Sequence, residues 1–182
     1  GFARAGHKTH YLMLEKERNK KEKIESYNGF YIHRFTIPRF LSILINKRYL
    51  NNISFKFYYF WFYVFSFIEG MRIAARIKPD IVIAYTNYSA LPAYLISKIM
   101  KSSYIYRENG TWTLYKDIQT LWGRLRKFDS IWAFKLPCEA MILTDDGTQS
   151  DLVARYFGVP EEKIFFWRNG IYKNGIPGMS RV

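Results

Sequence analysis

Cysteine occurs once in this sequence, at Cys138, and histidine three times, at His7, His10 and His33. One cysteine excludes an internal disulfide. Its place beside an apolar strand reads as a buried thiol in a reducing compartment rather than a nucleophile. The histidines share no metal-ligand spacing with cysteine or carboxylates, so no metal site is expected. Acidic residues are few, 15 against 28 Lys and Arg, which leaves a net charge of +13. No apolar run approaches the ~20 residues of a membrane-spanning helix. The densest stretch, 57–65, reaches only residue 68 even across Ser66. No apolar segment precedes a cleavage site, so no secretory signal is read, and the sequons at Asn87 and Asn109 are discounted. Residues 2–5 read instead as the last turn of a helix, with Gly6 as its C′ residue. Internal repeats are lacking too.

What the chain has instead is apolar and aromatic bulk. Its 182 residues are 49% hydrophobic and 19% aromatic, enough for one globular domain with a core and too apolar for disorder. The charge is uneven: residues 1–80 hold 15 basic and 6 acidic side chains (+9), residues 81–182 hold 13 and 9 (+4). A basic N-terminal half suggests an anionic partner such as phospholipid, nucleic acid or a phosphorylated substrate, against the plainer alternative of a solvated surface. The aromatic stretch 53–68 within it has two readings. In one it is part of a core helix over about 54–77. In the other it touches a membrane, with Trp61 and Phe62 at headgroup level and Lys47, Arg48 and Lys56 on anionic lipid.

Strands alternate with helices. Residues 9–14 and 30–37 read as strands, separated by a charged loop over 15–27. Residues 80–85 form an apolar run without alternation, the pattern of a strand buried on both faces. Thr86 and Asn87 follow as a loop, Ser89 as the N-cap of a helix over 90–100, and Pro92 in its first turn. Residues 103–106 are the next strand, running into a polar loop at 107–110. Two helices are read over 114–137, with Trp122, Leu125 and Phe128 at near-helical spacing among Arg124, Arg126 and Lys127. A strand over 139–144, a helix over 152–157 opened by a capping box at 148–151, and a strand over 163–167 complete the domain. No hairpin signal joins any two strands in this reading. The pattern is that of an α/β protein with a doubly wound, Rossmann-like, mostly parallel sheet. Both polar loops follow the carboxyl ends of strands, where open α/β sheets place ligands.

The segments ARAGHKTHYL, KPDIVIAYTNYSALPAYLISKIMKSSYIYRENGTW and EAMILTDDGTQSDLVARYFGVPEEKIFFWRNGI, in this order and spacing, resemble the N-terminal domain of family-4 retaining glycosyltransferases of the GT-B fold. The resemblance implies one half of a two-domain enzyme, with residues 1–170 as a domain lacking its first strand and residues 171–182 as the start of an interdomain linker. This half would bind an acceptor. A second domain would bind most of a UDP- or GDP-sugar donor, without a metal or other cofactor. The acceptor would be an envelope glycan or a lipid-linked one, and the enzyme cytoplasmic, peripheral on the cytoplasmic face of the membrane.

Acceptor-binding candidates are Thr86, Asn87, Arg107, Glu108, Asn109 and Gly110; candidates at the cleft between domains are Asp145, Asn169 and Gly170. No catalytic residue is assigned within the chain. Asn109 stands where the family commonly has a histidine, and an amide can hold sugar hydroxyls but cannot shuttle a proton near neutral pH. Asn169-Gly170-Ile171-Tyr172 departs from the family's usual Asn-Gly-Val/Ile-Asp, and Asp145-Asp146 replaces the commoner Ser-Glu. If the strand order is 3-2-1-4-5-6, loss of the first strand exposes two edges, and the fragment is expected to be inactive and unstable alone. The alternative is a non-enzymatic membrane- or partner-binding α/β domain. Nucleic acid ranks last, because no recognised binding module is present.

Overall fold

A computed structural model describes residues 5–15, 24–27, 30–36, 51–111, 114–144 and 146–167, with the backbone alone at 15, 24–25, 27, 51–58 and 167. Residues 2–4 of the expected helix turn, the linker over 171–182, Lys47, Arg48, Asp145, Asn169, Gly170 and the side chain of Lys56 lie outside the described residues.

Two sheets carry the fold. β1 (Thr9–Glu15), β2 (Ile24–Tyr27) and β3 (Phe30–Thr36) form the first in the order β1-β3-β2, with β1 parallel and β2 antiparallel to β3. β4 (Ile81–Tyr85), β5 (Ser103–Glu108), β6 (Ala140–Thr144) and β7 (Ile164–Trp167) form the second, in sequence order and all parallel. β1 and β4 are end strands of separate sheets, and the rings of Tyr11 and Tyr85 lie 5.7 Å apart. Parallel neighbours need crossovers. α2 (Asn87–Met100) joins β4 to β5, and α3 (Leu114–Asp117), α4 (Leu121–Arg126) and α5 (Phe128–Lys135) join β5 to β6. α6 (Ser150–Tyr156) and a 3₁₀ turn (Glu161–Lys163) join β6 to β7, while α1 (Asn51–Ile77) precedes β4. The mixed α/β, parallel, Rossmann-like architecture is the one expected.

The core follows from strand periodicity. Ala84, Tyr104, Tyr106, Met141 and Leu143 share one face of the second sheet and pack on Ala90 and Ala93 of α2, Ile131 and Phe134 of α5, and Val153 and Ala154 of α6. The other face is only partly covered, with Ile81 and Phe165 each more than half exposed. The expectation of a fourth strand buried on both faces is therefore corrected, since β4 is an end strand.

Local boundaries also differ from expectation, each for an identifiable reason. β2 lies in the stretch read as a charged loop, and it pairs Tyr27 with Phe30 across Asn28-Gly29, a hairpin signal the sequence reading passed over. α2 starts at Asn87, three residues early: Thr86 holds the cap position, while the Ser89 hydroxyl donates backwards to the carbonyls of Tyr85 (2.5 Å) and Thr86 (3.1 Å). Pro92 consequently sits inside the helix rather than in its first turn. β5 runs on to Glu108, so Arg107 and Glu108 are strand residues. Three short helices replace the two expected over 114–137. The capping box of α6 does not form: Gln149 takes the cap position at φ 59° without a side-chain cap, and the Thr148 hydroxyl is used elsewhere.

On the α1-facing side of the first sheet, His10 Nδ1 and His33 Nε2 lie 2.9 Å apart, and the His10 ring stacks on Tyr31 at 4.6 Å. One ring must donate and the other accept, so at least one nitrogen of the pair stays unprotonated. Burial lowers both values below the ordinary 6.5, and His33 and Lys8 push His10 further down. The unfolded chain therefore takes up protons first, and the pair's contribution to stability is lost as pH falls below 6.5. Urea melts between pH ~7.5 and ~5 should show this acid-side loss, flattened in His33→Phe. An unchanged slope in the variant would refute it.

Candidate functional site

The parallel strands β4, β5 and β6 end on one side of the sheet, and the residues following them form the candidate site. After β4 the chain turns into α2 through Thr86, held at φ 69°, a conformation uncommon for a β-branched residue. Its N–H donates to the Arg107 carbonyl at 2.9 Å, extending the β4–β5 ladder by one step. Asn87, in the first turn of α2, spends its amide hydrogens on Asp129 Oδ2 (2.8 Å) and Ser130 Oγ (3.0 Å), fastening that turn to α5.

β5 ends in two residues of opposite orientation. Arg107 lies opposite Tyr85, with its guanidinium 5.0 Å from the ring and Nη1 donating to the phenol oxygen at 3.1 Å. Tyr11 adjoins the same phenol, and burial, then Tyr85, pushes its own hydroxyl well above the usual range. Glu108 points to the other face and is buried. It accepts from the Tyr106 hydroxyl, from the Asn109 N–H at 3.0 Å and from the Gly110 N–H. Burial raises the Glu108 carboxyl above its ordinary value and nearby Asp146 adds to this, while the three donors oppose it. Tyr106 is fully buried, and burial next to this carboxyl pushes its phenol up as well.

A second set of bonds ties the Gly110–Thr111 loop to the residues after β6. The Thr111 N–H donates to Thr148 Oγ1 at 3.0 Å, and its hydroxyl donates to the Thr148 carbonyl at 2.7 Å. Asp146 Oδ1 accepts from the Thr148 N–H (3.0 Å) and hydroxyl (2.6 Å), and Ser150 Oγ lies 3.1 Å from the same hydroxyl. Gly110 adopts φ +139°, and a Cβ there would lie 2.5 Å from Asp146 Oδ2, so a side chain would meet both strain and contact. The result is a braced floor from which Asn109 projects exposed.

The structure thus brings Thr86, Asn87, Glu108, Asn109 and Gly110 to the carboxyl ends of adjacent strands, with Arg107 on the opposite face. Trp61 and Phe62 lie on α1, half buried, with the Phe62 ring 6.2 Å from Phe35 of β3. The bracing residues Tyr106, Thr111, Asp146, Thr148 and Ser150 and the Tyr11 contact were not among the sequence candidates. Period-two continuation of Tyr104 and Tyr106 would have found Glu108's buried face. Asp146-Gly147 carried a turn signal. Among the described residues no group of three or more His, Cys, Asp or Glu could hold a metal ion, and no helix is long and apolar enough to cross a membrane.

The family model described as Glycosyltransferase Family 4 matches residues 1–173 of the chain. No curated protein matches it.

Proposed function

This chain belongs to glycosyltransferase family 4, and from that premise we propose that it forms the acceptor side of a retaining transferase. The donor is a UDP- or GDP-sugar held mainly by a second domain, and the acceptor is an envelope glycan or its lipid-linked form. In the reaction the bond from the anomeric carbon to the diphosphate breaks, and an acceptor hydroxyl bonds to that carbon with retained configuration. The hydroxyl proton leaves with the nucleoside diphosphate. The residues described here supply no acid or base for this, and their work is to orient the acceptor.

The observation that carries this reading is the braced floor of Glu108, Gly110, Thr111 and Thr148, which holds Asn109 exposed beside the strained Thr86 turn. An amide on a fixed backbone can donate to one sugar hydroxyl and accept from another. Thr86 and the Asn87 carbonyl oxygen are candidates for further acceptor contacts, and Asp145, Asn169 and Gly170 for the cleft between domains. The net charge of +13 supports a location on the cytoplasmic face of an anionic membrane.

The test is transfer of radiolabelled sugar by the full-length gene product. Asn109→Ala should raise the acceptor KM ~10-fold with the donor KM unchanged. An unchanged acceptor KM in the variant would refute the role of Asn109, and no transfer from any nucleotide sugar would instead support a non-enzymatic membrane- or partner-binding domain.

A further inference from the structure

The crossover from β5 to β6 leaves apolar side chains in solvent that the core does not use. Leu121 (73% exposed), Leu125 (59%), Phe128 (55%) and Trp132 (57%) follow one another at spacings of four, three and four residues, with Trp122 (82%) beside the first. α4 and α5 are nearly one helix broken at Lys127, whose N–H still donates to the Gly123 carbonyl while its own carbonyl accepts from the Ile131 N–H. That spacing therefore falls along one face. The inner face of the same path buries Gly123, Ile131, Ala133 and Phe134, so the exposed residues are not a displaced core. Isolated apolar side chains in solvent are ordinary, but a continuous stripe marks an interaction surface.

Its chemistry selects the partner. Residues 114–135 carry Lys116, Arg124, Arg126, Lys127 and Lys135 against Asp117 and Asp129. Of these, Arg126 is paired with Asp117 at 2.8 Å, Arg124 donates to the Ile118 carbonyl and the Tyr156 hydroxyl at 2.6 Å each, and Lys135 lies over the Phe157 ring. The Asp129 carboxylate is taken by Asn87, so Lys116 and the half-buried Lys127, with the outward charge of the two arginines, face solvent. A second copy of a chain with net charge +13 would bring like charge against like. Nucleic acid would suit the rings, but Leu121 and Leu125 have no π-face on which a base could stack. An anionic bilayer suits all of it, with Leu and Phe in the acyl boundary, Trp at headgroup level and Lys and Arg on phosphate.

We propose that the exposed stripe of α4 and α5 is a docking surface for an anionic phospholipid bilayer, and that it, rather than the aromatic stretch of α1, makes the contact. The proposal stands apart from sugar transfer and does not depend on the acceptor.

The test is flotation of the full chain with phosphatidylcholine vesicles with and without phosphatidylglycerol. Binding should need the anionic lipid, weaken with salt and fall ~10-fold or more in Trp122→Ala/Phe128→Ala, a variant whose circular dichroism and melting should be unchanged because both rings are exposed. Trp61→Phe/Phe62→Leu should bind like wild type. Wild-type binding by the stripe variant, no binding to anionic vesicles, or loss only in the α1 variant would each overturn the proposal. So would a concentration-dependent dimer, or binding to single-stranded RNA without vesicle binding, that the stripe variant abolishes. None of these outcomes touches the transferase assay.

Discussion

Replacing Glu108 with alanine should cost this domain ~2–3 kcal/mol and release the loop that carries Asn109. The Tyr106 hydroxyl is fully buried and donates to this carboxyl, so truncation leaves a donor with no acceptor and no water. An unsatisfied buried donor alone accounts for ~1–3 kcal/mol. The Asn109 and Gly110 N–H groups lose their acceptor at the same time. Against this stands relief from burying a carboxyl whose raised value shows that its charge is disfavoured there. Glu108→Gln separates the two effects. Its oxygen can accept from the loop amides, and its NH₂ can donate to a rotated phenol, so it should stay within ~1 kcal/mol of wild type.

The pH dependence gives the sign. The folded state holds the Glu108 proton more tightly than the unfolded chain, where it titrates near 4.5, so stability present below pH 4.5 is lost as pH rises through the raised native value. The difference between Glu108→Gln and wild type should therefore move in favour of the variant as pH rises. The histidine pair runs the other way, losing stability as pH falls below 6.5. Urea unfolding at several pH values, with hydrogen exchange at Asn109 and Gly110, measures both effects. Wild-type stability in the alanine variant, or a glutamine variant as weak as the alanine one, would sink this account.

How far sequence carries the fold depends on where each element finds its partners. β4, α2 and β5 were legible because an apolar run, a proline and a polar turn are local signals, and the family pattern extends over residues 1–173. β2 escaped because its four residues sit in charged sequence with no alternation, and only Asn28-Gly29 marked the hairpin. The start of α2 moved because a serine near a helix start can cap it or bond backwards, and that choice rests on the Thr86 backbone. The site was legible as a set of loops and not as a structure. Thr148 has the residue type of a cap, but its partner Thr111 lies 37 positions away, beyond any local rule. Arg107 and Glu108 were grouped as one polar loop, whereas the extended strand sends them to opposite faces.

The second large effect is expected at Gly123, where propensity and sterics disagree. Gly123 stands in the first turn of α4, and alanine there should gain ~1 kcal/mol of helix propensity. A Cβ, however, would fall inside contact distance of the Asp117 carbonyl oxygen, 2.6 Å from its carbon and 2.8 Å from Thr120 Oγ1. Two of these atoms are backbone and cannot swing away. Thr120 is pinned as well: its hydroxyl accepts from the Gly123 N–H at 3.0 Å, and its own N–H donates to the Asp117 carbonyl at 3.1 Å. Relief requires the α3–α4 turn to move as a unit, which pulls Ile118 from the core, where it is fully buried. Overpacking of this kind typically costs ~1–3 kcal/mol, and with backbone as the obstacle the upper end wins over propensity. Gly123→Ala should therefore lose ~2 kcal/mol net, a fall in Tm of ~4–8 °C for a chain of this size. Trp122→Ala next to it should melt like wild type, since that ring is 82% exposed. Differential scanning calorimetry of the pair decides the matter. A Gly123→Ala chain that melts at the wild-type temperature would mean that the turn yields freely. The rigid seating that holds the stripe of α4 and α5 outward would then be lost with it.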